Sequence, residues 1–149
     1  MEPPVLPAVA LFDGIARSSW AYPALEVVHI VGIALLVGNL ALLELRVWGR
    51  GAELSPKALA RLALPLSVAG FGLIAASGLV MFATNPGELL ANRAFVIKLL
   101  LLTLAGVNAV VFHLRDGLVK LDAMARAQTA LSLGLWVAVI ACGRWIAYA

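Results

Sequence analysis

Residues 23–47 read Pro-Ala-Leu-Glu-Val-Val-His-Ile-Val-Gly-Ile-Ala-Leu-Leu-Val-Gly-Asn-Leu-Ala-Leu-Leu-Glu-Leu-Arg-Val. A helix that crosses a bilayer needs about 20 predominantly apolar residues, and this stretch supplies them. Pro23 suits the first turn, where its missing N–H costs nothing. Three more stretches of the same kind follow, at about 59–82, 94–114 and 127–147. Ser55-Pro56 reads as an N-cap and first helical residue. Pro65 is expected to kink the second span. Asn85-Pro86-Gly87 and Asp116-Gly117 read as turns. Connections this short predict an all-α, up-down-up-down four-helix bundle forming one transmembrane domain over 1–149, with the first and third spans parallel and diagonal.

Composition agrees. Of 149 residues, 63% are hydrophobic and 13% charged, and mean hydropathy is +1.01. Soluble domains run at about 45–50% apolar and about 25% charged. The difference excludes an ordinary water-soluble enzyme, a nucleic-acid binder and a disordered chain. A single cysteine excludes a disulfide scaffold or a thiolate zinc cluster, which need several. The start, Met1-Glu2-Pro3-Pro4, is acidic and proline-rich, a poor signal peptide. Within 8–20, Ala8, Leu11, Phe12 and Ile15 share one helical face and Trp20 and Tyr22 follow, which predicts a short helix in the membrane interface.

The net charge of +3 matters less than its placement. Arg46, Arg50, Lys57 and Arg61 follow the first span, and Arg115, Lys120 and Arg126 follow the third. Cytoplasmic loops carry the Lys/Arg excess, so both termini are expected on the outside, periplasmic in a bacterial inner membrane. Arg17, Arg93, Lys98 and Arg144 fall at or near the opposite face.

Ionisable residues inside a span cost about 2.5–3.5 kcal/mol each on insertion scales and mark functional sites by default. They concentrate on two spans: Glu26, His29, Asn39 and Glu44 on the first; Lys98, Asn108 and His113 on the third. His29 lies as far before Arg46 as Lys98 lies before Arg115. Asn39 and Asn108 are matched in the same way, and so are Glu44 and His113. At 1.5 Å per residue His29 and Lys98 stand about 25 Å from those arginines, in the outer half of the bilayer. Helical 3/4 spacing joins Glu26, His29, Gly32, Leu36, Asn39, Leu43 and Arg46 into one stripe. A second stripe holds Lys98, Leu101, Ala105, Asn108 and Phe112. Both suggest inward faces flanking something flat or polar.

A histidine and a lysine facing each other in an apolar bundle suit the two axial positions of a haem iron. Neutral imidazole is a common haem ligand, and an amine ligates once it loses its proton. Arg93, Arg144 and Arg17 are then candidates for the propionates, with Glu26, Asn39 and Asn108 as polar lining. His113 is a weaker candidate ligand, too distant in depth to share an iron with His29. Structural roles compete at every position. Glu26 can simply hold His29, Lys98 can snorkel to the surface, Glu44 can pair with His113, and the two asparagines can bond across the bundle. Gly70-Phe71-Gly72 with Ala75, Ala76 and Gly78 reads first as a close-packing face, and Trp48, Trp136 and Trp145 as interfacial or packing residues.

Glu26-Val27-Val28-His29-Ile30-Val31-Gly32, followed by Val37-Gly38 and Leu45-Arg46, resembles the first span of the copper-resistance protein D superfamily. It is also similar to the first span of the HemJ-type protoporphyrinogen oxidases. Lys98-Leu99-Leu100-Leu101-Leu102 with Asn108 resembles the lysine-bearing span of both groups. The chain is most similar to small four-span bacterial members without assigned function, which also carry an aromatic-Pro pair like Tyr22-Pro23 before the histidine. The resemblance implies haem b held by His29 and Lys98. It does not extend to porphyrinogen oxidation: Leu35-Leu36 stands where a tryptophan is usual, and Leu45 stands where a proline precedes the closing arginine. An electron-transfer protein serving a quinone or a periplasmic redox protein is the leading expectation. A proton-coupled or copper-related small transporter, needing a second copy for an adequate cavity, is an alternative, although Cys142, Met81 and Met124 form no cluster of soft copper ligands. A structural subunit of a membrane complex is the third.

Overall fold

The computed structural model describes residues 7–148, with side chains from residue 12 onward. Helix α1 spans Pro7–Arg17, α2 Ala21–Val47, α3 Pro56–Thr84, α4 Pro86–Ala91, α5 Arg93–Leu114, α6 Gly117–Lys120 and α7 Ala123–Trp145; a 3-10 turn over Ile146–Tyr148 follows. The fold is all-α, and α2, α3, α5 and α7 are long and apolar enough to cross a membrane. In hydrocarbon a chain must satisfy its own backbone groups, which leaves continuous helices as the only solution for such stretches. The protein is a multi-pass membrane protein. Val27, Ile30, Leu62, Val68, Leu79, Leu100 and Val137 point away from the bundle, a surface for lipid rather than water.

Polar side chains set the helix starts. Ser55 accepts from Ala58 N–H, Asn92 from the N–H groups of Ala94 and Phe95, and Asp122 from Ala125 N–H. Each replaces a bond that the first turn cannot make within the helix. The expected Ser55-Pro56 start is present, and α3 continues through Pro65. The expected turn at Asn85-Pro86-Gly87 is instead the start of α4, with Pro86 as its first residue; proline fits a helix start as well as a turn. Gly117 begins α6 behind Asp116, whose backbone is left-handed. In α1, Phe12 and Ile15 are half-buried while Asp13 and Arg17 are exposed, in keeping with a two-faced helix; Ala8 and Leu11 of that face lie outside the described side chains.

The spans form two antiparallel hairpins, α2 with α3 and α5 with α7, joined along a seam between α2 and α7. The first hairpin closes at Gly32 and Gly70. A Cβ on Gly32 would stand 2.8 Å from Gly70 O, and one on Gly70 would stand 2.7 Å from Gly32 O and from Leu36 N. This is backbone on backbone, the close approach that glycine alone permits. On the first-span stripe, Gly32 therefore serves the packing of α2 on α3, as the close-packing reading of Gly70 on the second span expects. On the far side of the bundle α3 and α5 stay apart, bridged by the stacked rings of Phe82 and Phe95, 5.7 Å between centroids.

The ends of the bundle differ. At the end carrying Arg46, Arg115 and Arg126, the basic end, Val47 and Ala125 are 1% and 0% exposed and pack with Phe112, Leu118 and Leu121. Leu43, Ala60 and Ala63 form an adjoining cluster. Trp48 Nε1 donates to Thr129 Oγ1 at 2.8 Å, tying α2 to α7. The opposite end, where α2 starts and α7 finishes, holds His29 and Lys98.

Candidate functional site

His29 projects from α2 against α3. Its Nδ1 is 2.9 Å from Ser77 Oγ, and a Cβ on Gly78 would lie 3.4 Å from its Cε1. Ser77 Oγ donates its single proton to Leu73 O at 2.6 Å. A hydroxyl with its proton committed can only accept, so the proton in the His29–Ser77 bond belongs to Nδ1. The neutral ring then carries its free lone pair on Nε2. A second hydrogen bond that fixes the tautomer in this way is the usual support of a metal-ligating histidine.

Lys98 reaches from α5 toward α7, where a Cβ on Gly143 would stand 3.5 Å from Nζ. It makes no hydrogen bond or ion pair among the described residues; the ion pair there is Arg115 with Asp122. The two side chains thus share one end of the bundle on diagonal helices, each within ordinary contact distance of a glycine.

The other polar residues are placed differently from the sequence expectation. Glu26 is exposed, and Ser77, not Glu26, holds His29. Asn39 and Asn108 do not bond to each other: Asn39 Nδ2 donates to Leu35 O in its own helix, and Asn108 Nδ2 to Gln128 O on α7. Equal depth put them level, but their rotation about the helix axes turns them apart. Glu44 and His113 likewise part. His113 Nδ1 donates to Ala109 O, whereas Glu44 turns to Ser132 on α7. Glu44 is 4% exposed, and its Oε2 has no partner. It borders a cavity of about 60 Å³ shared with Asn108, Gln128, Thr129 and Ser132.

Arg93 begins α5 and is exposed. Arg144, in the last turn of α7, donates to Tyr148 OH at 2.6 Å and lies over its ring. Arg17 closes α1, exposed. All three stand at the end that holds His29 and Lys98.

No family model, curated protein or solved structure matches this chain. The site therefore rests on its own geometry. Sequence reasoning missed Ser77 as the partner of His29. The signal was available: His29 lies about two helical turns inside the start of α2, and Ser77 about two turns inside the end of α3, so an antiparallel hairpin levels them.

Proposed function

We propose that this protein binds a b-type haem between α2 and α5, that His29 and Lys98 would hold its iron, and that it transfers electrons in a bacterial inner membrane. The observation that supports the reading is the His29–Ser77 bond, with Ser77 donating to Leu73 O, at the end of the bundle where Lys98 makes no hydrogen bond or ion pair among the described residues. When bound, haem supplies reversible one-electron chemistry at its iron. The chain's own contribution is to hold a proton at His29 Nδ1 through Ser77, to present the Lys98 amine in an apolar setting, and to offer Arg93, Arg144 and Arg17 to the propionates. The Lys/Arg bias orients both termini to the periplasm. The natural redox partners at that depth are a membrane quinone or a periplasmic redox protein.

The test is an absorption spectrum of the detergent-purified protein, oxidised and then dithionite-reduced. A Soret band with sharp reduced α and β bands is expected. His29→Ala should remove it, and Lys98→Leu should convert a six-coordinate spectrum to a five-coordinate one. Full haem occupancy in His29→Ala, or a wild-type protein that stays colourless after haem addition, overturns the proposal.

A further inference from the structure

A cavity lies at the basic end, away from His29 and Lys98. It measures about 490 Å³ and is lined by Lys57, Arg61 and Ala60 of α3, Phe112 and His113 of α5, Asp116 of the turn, and Gly117, Leu118 and Val119 of α6. It exists because α3 and α5 do not close on each other. Gly117 shapes its wall: a Cβ there would stand 2.4–2.8 Å from the Phe112 ring, so only glycine lets that ring lie flat against α6.

The charges in this cavity are unspent. Lys57 and Arg61 are one turn apart on one face of α3 and exposed. Among the described residues neither they nor Asp116 makes an ion pair, the pair there being Arg115–Asp122. His113 has its Nδ1 committed to Ala109 O, which leaves Nε2 for a ligand. Two cations and a histidine thus share a cavity with one carboxylate, above an apolar floor of Ala60, Phe112, Leu118 and Val119. The cavity sits where the spans end, the depth of the headgroup layer.

We infer that this cavity is a binding site for a phospholipid whose headgroup carries a free amine. The phosphate lies against Lys57 and Arg61, a charge-assisted arrangement. The ammonium reaches Asp116, and an acyl chain runs over the apolar floor into the gap between α3 and α5. Asp116 is what selects the headgroup. It repels a purely anionic lipid, and a quaternary amine offers it no N–H. The apolar floor selects lipid over free phosphate, since inorganic phosphate gains nothing from it. This inference does not depend on haem.

The test is native mass spectrometry of the full chain released from mixed micelles holding phosphatidylethanolamine, phosphatidylcholine and phosphatidylglycerol of identical chains. Phosphatidylethanolamine should be retained about tenfold over the other two, the ratio that one charge-assisted hydrogen bond sustains. Asp116→Asn should erase that preference. Lys57→Gln with Arg61→Gln should lower retention of all three lipids. These are exposed positions, and unchanged far-UV circular dichroism checks the fold. Equal retention of the three lipids by the wild type overturns the inference. So does unchanged retention in the double variant. Displacement of the lipid by inorganic phosphate at equal concentration would assign the site to a soluble phosphate instead.

Discussion

The two ends of the bundle are held together differently. At the basic end hydrogen bonds cross between helices: Trp48 to Thr129, Asn108 to the Gln128 carbonyl, Arg115 to Gln128 and Asp122. Val47 and Ala125 are sealed beneath them. At the terminal end the crossings are His29 to Ser77 and Asn92 to the Ile146 carbonyl, while Lys98 makes no hydrogen bond or ion pair among the described residues. Interhelical bonds and dry packing specify how helices meet, whereas donors with unused capacity cost stability unless a ligand takes them up. The contrast teaches that the basic end carries more of the bonds that fix how the helices meet, while among the described residues both ends keep polar groups unused: Lys98 at one, Glu44 Oε2 and the cavity charges at the other.

The first way to break this division is to attack the point between the ends. Gly70→Val places side-chain atoms against Gly32 O and Leu36 N, backbone that cannot yield. The expected cost is about 3 kcal/mol or more, read as loss of both ends together in detergent-titrated unfolding followed by circular dichroism. Ser77→Ala strikes the terminal end alone. It removes the group that fixes the His29 tautomer, and haem affinity should fall by about 10–100-fold while unfolding is little changed. An equal loss of stability would mean that Ser77 holds helices rather than the imidazole.

Trp48→Phe makes the converse test. Losing the donor to Thr129 Oγ1 should cost about 1–2 kcal/mol with the absorption spectrum intact. The smallest effect belongs to Asp122. Its bond from Ala125 N–H comes first, with Arg115 and Lys120 nearby, and holds its carboxyl below the usual range. A depressed carboxyl contributes stability above its unfolded range and loses it as pH falls through its folded value. The basic end should therefore soften in acid, and Asp122→Asn, which keeps a capping oxygen, should flatten that part of the melting-temperature profile against pH. A profile identical to wild type would remove Asp122 from the account.

How much of this was legible in the sequence follows from what each feature depends on. The four spans depend on apolar length, a property of the chain read residue by residue, and the Ser55-Pro56 start depends on two adjacent residues. Counting along two helices was enough to put His29 near the start of α2 and Lys98 near the start of α5, at the same end of the bundle. Rotation about those helices is another matter. Asn39 and Asn108 share a depth but face different neighbours, and Gly32 has the same spacing from His29 whether it meets a ligand or Gly70. Ser77 escaped because a serine in an apolar span commonly bonds to its own helix. It does so here through Leu73, and that local bond is what makes it an acceptor for His29. Glu44 was visible as a charge near a span end, but not as a carboxyl turned toward α7 with one oxygen unpartnered.

The seam between α2 and α7 bears on how the chain is made. The N-terminal hairpin has its Gly32–Gly70 contact complete once residue 84 has been synthesised, before any of α5 exists. The C-terminal hairpin needs nothing from the first to bring Asn108 onto Gln128. Each hairpin thus carries its own closing contacts, and what joins them is the seam of α2 on α7. A chain severed within α4 still carries both halves of that docking face, so the two fragments, supplied as separate polypeptides, contain the information to reassemble the whole.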